Sequence, residues 1–328
     1  MKRILGIGNA LVDALTLIPN DKILSELNLP KGSMQLIDEA RFADICARLK
    51  SLEVKCTTGG SACNTVLAVA NLCGEAGLIG CIGKDQTGKF FAENCQKHHI
   101  KTHLYEHPTL PTGIANTFIS TDGQRTFGTY LGAASSLTAD MLQKEWFAGY
   151  ALVHIEGYLV QNHALLRHAI QLAKDCGLLV SLDLAGYNIV EAEHAFFEQL
   201  LPQVDIVFAN EEESFAYTQK PPREAAQALA EICDVAVVKI GREGALIQRG
   251  QEFIHQPPLP GAKAIDTTAA GDYFAAGFLH GLANGQSLAS CAELGTLLAG
   301  NIVQVVGTAL SEEAWQDIRR KAFSNNRR

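Results

Sequence analysis

No apolar run in this 328-residue chain approaches the roughly 18 residues that a membrane-spanning helix requires, so a membrane is not expected among its partners. Cysteine shows no pairing pattern: nine residues stand singly, without a Cys-x-x-Cys or the Cys/His spacing of a zinc site. Reduced, mostly buried thiols are expected, and with an N-terminus that opens straight into a strand they suggest a cytoplasmic chain. Long basic runs are missing too, and the net charge is −8. That argues against nucleic acid as the main partner and favours a small molecule. Internal repeats and low-complexity segments are also absent.

Other signals are present but incomplete. Gly6-x-Gly8 begins like a dinucleotide fingerprint, yet Leu11 stands where a third glycine must let the helix approach, so NAD binding is rejected. Gly83 to Lys89 fits the start of a P-loop, yet Phe90 follows where a Ser or Thr must hold magnesium, so a P-loop is rejected. His154 and Glu156 have no Cys-x-x-Cys partner, which removes a deaminase-type zinc site.

The length allows one or two domains. From Leu152 onward strand and helix alternate: Leu152 to Ile155, a helix around Leu165 to Lys174, then Leu178 to Asp183. Such alternation predicts parallel strands joined by right-handed crossovers. Asp13 to Ala40 is irregular and holds Pro19, Pro30 and Gly32, which reads as lid strands. Thr112 to Ser120 and Arg125 to Leu131 are β-rich and joined through Asp122-Gly123, a hairpin signal. Arg125 is read as an exposed hairpin side chain, with help to a phosphate's charge as the alternative.

The stretch Asp266-Thr267-Thr268-Ala269-Ala270-Gly271-Asp272 organises the rest. Phe274, Phe278 and Leu282 follow at four-residue spacing, a buried helical face that puts the small run at a helix N-terminus. There the amides of Ala269, Ala270 and Gly271 would converge on a phosphate. Asp272 would accept a proton from an attacking hydroxyl. The plainer alternative is an ordinary helix start with an acidic first turn. Asn9 and Asp13 lie just beyond a strand's carboxyl end, where open α/β sheets present ligand groups. Gly59-Gly60 before a helix lets amides touch a ligand, with Asn64 one turn in.

These motifs together resemble the ribokinase-like (PfkB) carbohydrate and nucleoside kinases. Their C-terminal signature is usually Asp-Thr-x-Gly-Ala-Gly-Asp, here with Ala269 for the first glycine. That change is mild in an ordinary backbone conformation and serious if φ must be positive. Gly59, Gly60 and Asn64 match Gly-Gly-x-x-x-Asn; Asn210 and Glu213 match Asn-x-x-Glu; Gly241 and Gly244 match Thr-x-Gly-x-x-Gly, with Lys239 where Thr is common. Asn9-x-Leu11-x-Asp13 and Pro111-Thr112-Gly113 resemble adenosine kinases in particular.

The resemblance implies an α/β fold: a ribokinase-like three-layer αβα sandwich with a mainly parallel central sheet, plus a small β-sheet lid from about residues 10–40 and 110–131, in one domain spanning 1–328. It implies transfer of the γ-phosphate of ATP to a primary hydroxyl, with Asp272 as general base and Ala269 to Gly271 as the anion hole. Asp13 would grip vicinal hydroxyls with Asn9 in support, and Gly59, Gly60 and Asn64 would hold the sugar ring. Asn210, Lys239, Gly241, Gly244, Thr267 and Asn301 would meet ATP, and Glu213 would reach Mg2+ through water. A monovalent cation such as K+ is a further candidate. Adenosine is the favoured acceptor; ribose, fructose and 2-keto-3-deoxygluconate are alternatives, and a non-catalytic nucleoside or sugar sensor is the alternative of another class. Leu11, Met34 and Leu36 either line a pocket for a base or pack the lid. Tyr158 is placed at the pocket border. Monomer and homodimer both remain open.

Overall fold

The computed structural model describes residues 2–50, 52–122 and 124–324. Gly123 of the hairpin signal lies outside them.

The apolar strands sort their side chains to two sides. In Ile206–Asn210, Ile206 and Phe208 enter one hydrophobic core while Val207 and Ala209 enter another. Ile4–Ile7, Leu152–Glu156 and Val235–Lys239 divide the same way. A strand buried on both faces belongs inside a parallel sheet. Among the described residues these strands form a nine-stranded sheet, in the order Glu252–Gln256, Ala245–Arg249, Val235–Lys239, Ile206–Asn210, Leu179–Asp183, Leu152–Glu156, Ile4–Ile7, Ala76–Gly83 and Ile100–His107. The first two pairings in that order are antiparallel, and the remaining six are parallel.

Helices cover both faces. His163–Asp175, His194–Leu200 and Pro222–Ala230 pack on one side. Ser61–Cys73, Ala270–Ala283 and Leu288–Ile302 pack on the other. Ala270–Ala283 is buried nearly all round, beyond the single face that its spacing predicts, with Leu282 only partly buried. Phe278 meets Phe208 edge-on at 5.7 Å between ring centroids, which fixes the helix against the strand Ile206–Asn210. Phe278→Ala would cost roughly 3–5 kcal/mol. Gly277 lets the neighbouring helix approach, since a Cβ there would lie 2.5 Å from the Leu294 carbonyl oxygen.

A second sheet has the order Met34–Leu36, Arg125–Tyr130, Gly113–Ile119, Leu11–Leu17, Lys55–Gly59. Its fifth strand, Lys55–Gly59, lies outside the two expected lid segments. One face packs on the helix Glu39–Leu49 through Phe118, Tyr130 and Ile45. The other face is turned to a cavity.

The chain crosses between the sheets four times, and two carboxylates hold the crossings. Glu156 accepts the Asn9 amide at 2.8 Å, the Asn9 side-chain NH2, and the Ala62 amide at 3.1 Å. That ties the outgoing strand to the return through Gly59-Gly60. Asp85 accepts the Thr112 amide, the Thr112 hydroxyl and the Gly88 amide, each at 2.7 Å. Ala133 then donates to the Pro111 carbonyl at 2.8 Å, which joins the second pair of crossings. The run that imitates a P-loop therefore caps the helix Gln86–Lys97 and pins a crossing. Among the described residues no helix is long and apolar enough to cross a membrane.

Candidate active site

Polar groups gather at the carboxyl ends of the parallel strands. Glu156 pairs in register with Asp183, and Asn210 with Lys239. Asn9 follows Ile7 by two residues, where the strand order turns from one side of Ile4–Ile7 to the other. Open α/β sheets bind ligands at such a point. A cavity of about 590 Å³ opens there, between the strand ends and the free face of the small sheet, within the usual size range of ligand pockets.

Asp272 lies at its floor in the first turn of Ala270–Ala283. Its Oδ1 accepts the Ser61 hydroxyl at 2.7 Å and its Oδ2 accepts the Asn64 NH2 at 2.9 Å. Burial pushes the carboxyl up to about 6, while the Asn64 and Ser61 bonds hold it down. Asp13 is pushed up to about 7 by burial and by the charge of Asp272, with Arg125 opposing. Gly59 abuts Asp13 so closely that a Cβ there would fall 2.3 Å from Oδ1. Glu156 rises to about 7 through burial, opposed by the donors from Asn9 and Ala62.

The other end of the cavity carries a cation. Lys239 Nζ donates to Asp183 Oδ2 at 2.8 Å, and a Cβ on Gly271 would meet Nζ at 2.9 Å. Burial alone would lower the lysine, but Asp183 and Glu213 outweigh it and hold the ammonium protonated. Burial likewise pushes Asp183 up, and Lys239 overrides it and keeps the carboxylate ionised. Asn210 and Glu213 engage each other. The Asn210 amide and side chain each donate to Glu213 at 2.7 Å, and Asn210 Oδ1 accepts the Glu213 amide at 2.8 Å. This is a capping box on Glu211–Thr218. Glu213 also lines the cavity, and burial pushes it up to about 7.

Of the expected residues, the structure brings Asn9, Asp13, Gly60, Asn64, Glu213, Lys239, Ala269, Asp272 and Tyr158 onto this one cavity. Gly59 stands directly behind Asp13. Asn210, Gly241, Gly244, Thr267, Ala270, Gly271 and Asn301 do not line it; Asn301 donates to the Leu297 carbonyl one turn back at 2.7 Å. Gly241 and Gly244 take φ values of 53° and 99° in the turn joining two strands.

Several expectations change. Arg125 is not exposed: its guanidinium donates to Thr268 Oγ1 at 2.9 Å and pairs with the buried Asp266 carboxylate, linking the small sheet to the signature loop. Asp266 further accepts the Gly307 amide at 2.7 Å. The Asn9 NH2 serves Glu156 instead of Asp13, because Glu156 lies nearer the strand end. The Ala270 amide donates to the Thr267 carbonyl at 3.2 Å, which removes it from the three expected anion-hole donors; of the other two residues, Ala269 lines the cavity. Ala269 has a φ of 60°. It therefore holds a left-handed conformation that costs an L-residue about 1–2 kcal/mol, where the family's usual glycine is free of strain.

Two residues escaped sequence reading: Ser61, and Glu156 as a hydrogen-bond hub. Ser61 alone carried a signal, since it follows Gly59-Gly60 at a helix start. His154 is structural, contacting Ser181 Oγ at 3.0 Å and pushed down to about 4 by burial.

Comparisons with known proteins show the family and the fold. The pfkB family carbohydrate kinase domain matches residues 32–315. The structure of a probable sugar kinase from Rhizobium etli is 30% identical, with a TM-score of 0.88 over 99% of this chain and 98% of that one. The structure of adenosine kinase from Sinorhizobium meliloti is 31% identical, with a TM-score of 0.89 over 98% and 99%. Adenosine kinase of Saccharomyces cerevisiae is 28% identical over 316 residues, covering 90% of this chain and 89% of that protein.

Proposed function

The chain belongs to the pfkB family of carbohydrate kinases, and from that premise we propose that it phosphorylates a nucleoside, adenosine being the acceptor that fits best. Membership makes it a phosphotransferase acting on a hydroxyl group, and the family uses ATP. One observation carries the choice of acceptor. The small sheet roofs the cavity with Leu11, Leu15, Met34, Leu36 and Phe127 around Asp13, an apolar surface larger than a free sugar would need. A flat base would cover it while Asp13 takes the ribose hydroxyls. Met34 and Leu36 are 47% and 50% exposed without such a cover.

In this reading the acceptor's primary hydroxyl lies beside Asp272, which takes its proton as the oxygen attacks the γ-phosphorus and the bond to ADP breaks. The amides of Ala269 and Gly271 and the Lys239 ammonium face the charge that develops on the transferring group. Alignment supplies most of the acceleration, and the base contributes roughly 10²–10⁴-fold.

Among the described residues no group of three or more His, Cys, Asp and Glu side chains is placed to hold a metal ion. Both Glu213 oxygens already accept from Asn210. This donor set suits a magnesium ion that keeps its waters and rides on nucleotide phosphates, with Glu213 reaching it through water. Bound there, the metal would offset phosphate charge.

The test is ATP consumption against adenosine, other nucleosides, ribose, fructose and 2-keto-3-deoxygluconate. Turnover on adenosine at the highest kcat/KM supports the reading. A preference for a free sugar keeps the mechanism and overturns the acceptor.

A further inference from the structure

One helix face grips Asp272. Residues 61, 64 and 65 follow the i, i+3, i+4 spacing of a single helical face, and all three side chains reach it: Ser61 to Oδ1, Asn64 to Oδ2, and Thr65 Oγ1 to the backbone carbonyl at 3.3 Å. The helix start that delivers them is itself fixed. Gly60 has a φ of 92°, and a Cβ there would fall 2.1 Å from the Asn9 carbonyl oxygen. The Ala62 amide is taken by Glu156. No side-chain cap is made at Gly60, and the Ser61 hydroxyl is directed instead to a carboxylate 211 residues away.

We propose that Ser61 is a positioning residue for Asp272: its hydroxyl clamps Oδ1 and keeps the carboxylate ionised and turned toward the acceptor's hydroxyl. The proposal rests on Asp272 being the general base. A carboxylate oxygen offers two lone pairs, so each one held by Ser61 or Asn64 keeps another for the proton that leaves the acceptor. The clamp has opposition to overcome. Asp13 from the small sheet and Glu156 and Asp183 from adjacent strand ends put negative charge near Asp272, and the Lys239 ammonium lies on the favourable side. Burial and those carboxylates favour the protonated acid, which cannot accept a proton. The Ser61 and Asn64 donors favour the ionised form.

The experiment is the pH profile of kcat/KM for Ser61→Ala, Ser61→Thr and Asp272→Asn, with thermal unfolding to confirm that each folds. A hydrogen bond to a charged group is worth enough to move the acid limb of Ser61→Ala upward by about one to two pH units. Activity below the limb should then fall about 10-fold or more, approach the parent's above it, and return toward the parent profile in Ser61→Thr. A uniform loss at every pH, or an unmoved limb, overturns the proposal. Asp272→Asn separates the two layers. If it keeps turnover, the reading of Asp272 as base fails and takes the proposal with it; if it abolishes turnover while Ser61→Ala leaves the limb in place, the positioning role alone fails.

Discussion

The nine-stranded sheet meets the cavity with its strand ends, and those ends are charged: Glu156, Asp183 and Lys239. The five-stranded sheet meets the same cavity with a face, and that face is mostly apolar, with Asp13 and Arg125 set into it. Burial follows the division. The inner strands of the large sheet are closed on both sides, whereas Met34 and Leu36 are half exposed. Charges that act on a reaction must be held at fixed distances, and a parallel sheet locked between helices does that. A shape that recognises must meet its ligand across a surface that water can leave, and an uncovered sheet face offers one.

If the large sheet supplies charge, the buried ion pair at its own strand ends should show the largest effect. Lys239→Met leaves Asp183 buried without its partner and should cost about 3–5 kcal/mol in thermal unfolding, along with most turnover. Adding Asp183→Asn should recover much of the stability and little of the activity. Equal recovery of both would mean that the pair serves folding alone. Arg125→Leu breaks a charged link between the small sheet and the signature loop. It should cost about 1.5–3 kcal/mol, less than Lys239 because Asp266 keeps the amides of Thr268 and Gly307. Leu36→Ser roughens the apolar face and should raise the KM for adenosine about ten-fold. Its effect on ribose should be small. A matching rise for ribose would show that the face does not distinguish a base.

The two sheets also differed in how far the sequence announced them. The alternation after Leu152 predicts the parallel strands because fully buried strands are apolar throughout and their turns carry glycine. The small sheet is harder to read, since short strands covered on one face mix polar and apolar residues, and Lys55–Gly59 was missed for that reason. Asp272, Asn64 and Asp13 stand in local motifs and could be singled out. Ser61, Glu156 and Arg125 take their meaning from partners 211, 147 and 141 residues away, a distance no local pattern spans. Ala269 shows the same limit in the backbone. Its substitution for glycine was visible, and its left-handed φ was not.

Asp272 is where charge from one sheet and recognition by the other converge, so the decisive measurement is Asp272→Asn, with kcat from steady-state kinetics and adenosine affinity from calorimetry. The account predicts a kcat lower by roughly 10²–10⁴-fold with an adenosine Kd close to the parent's and a thermal transition no lower, since a buried charge has been removed. Near-normal turnover would contradict it.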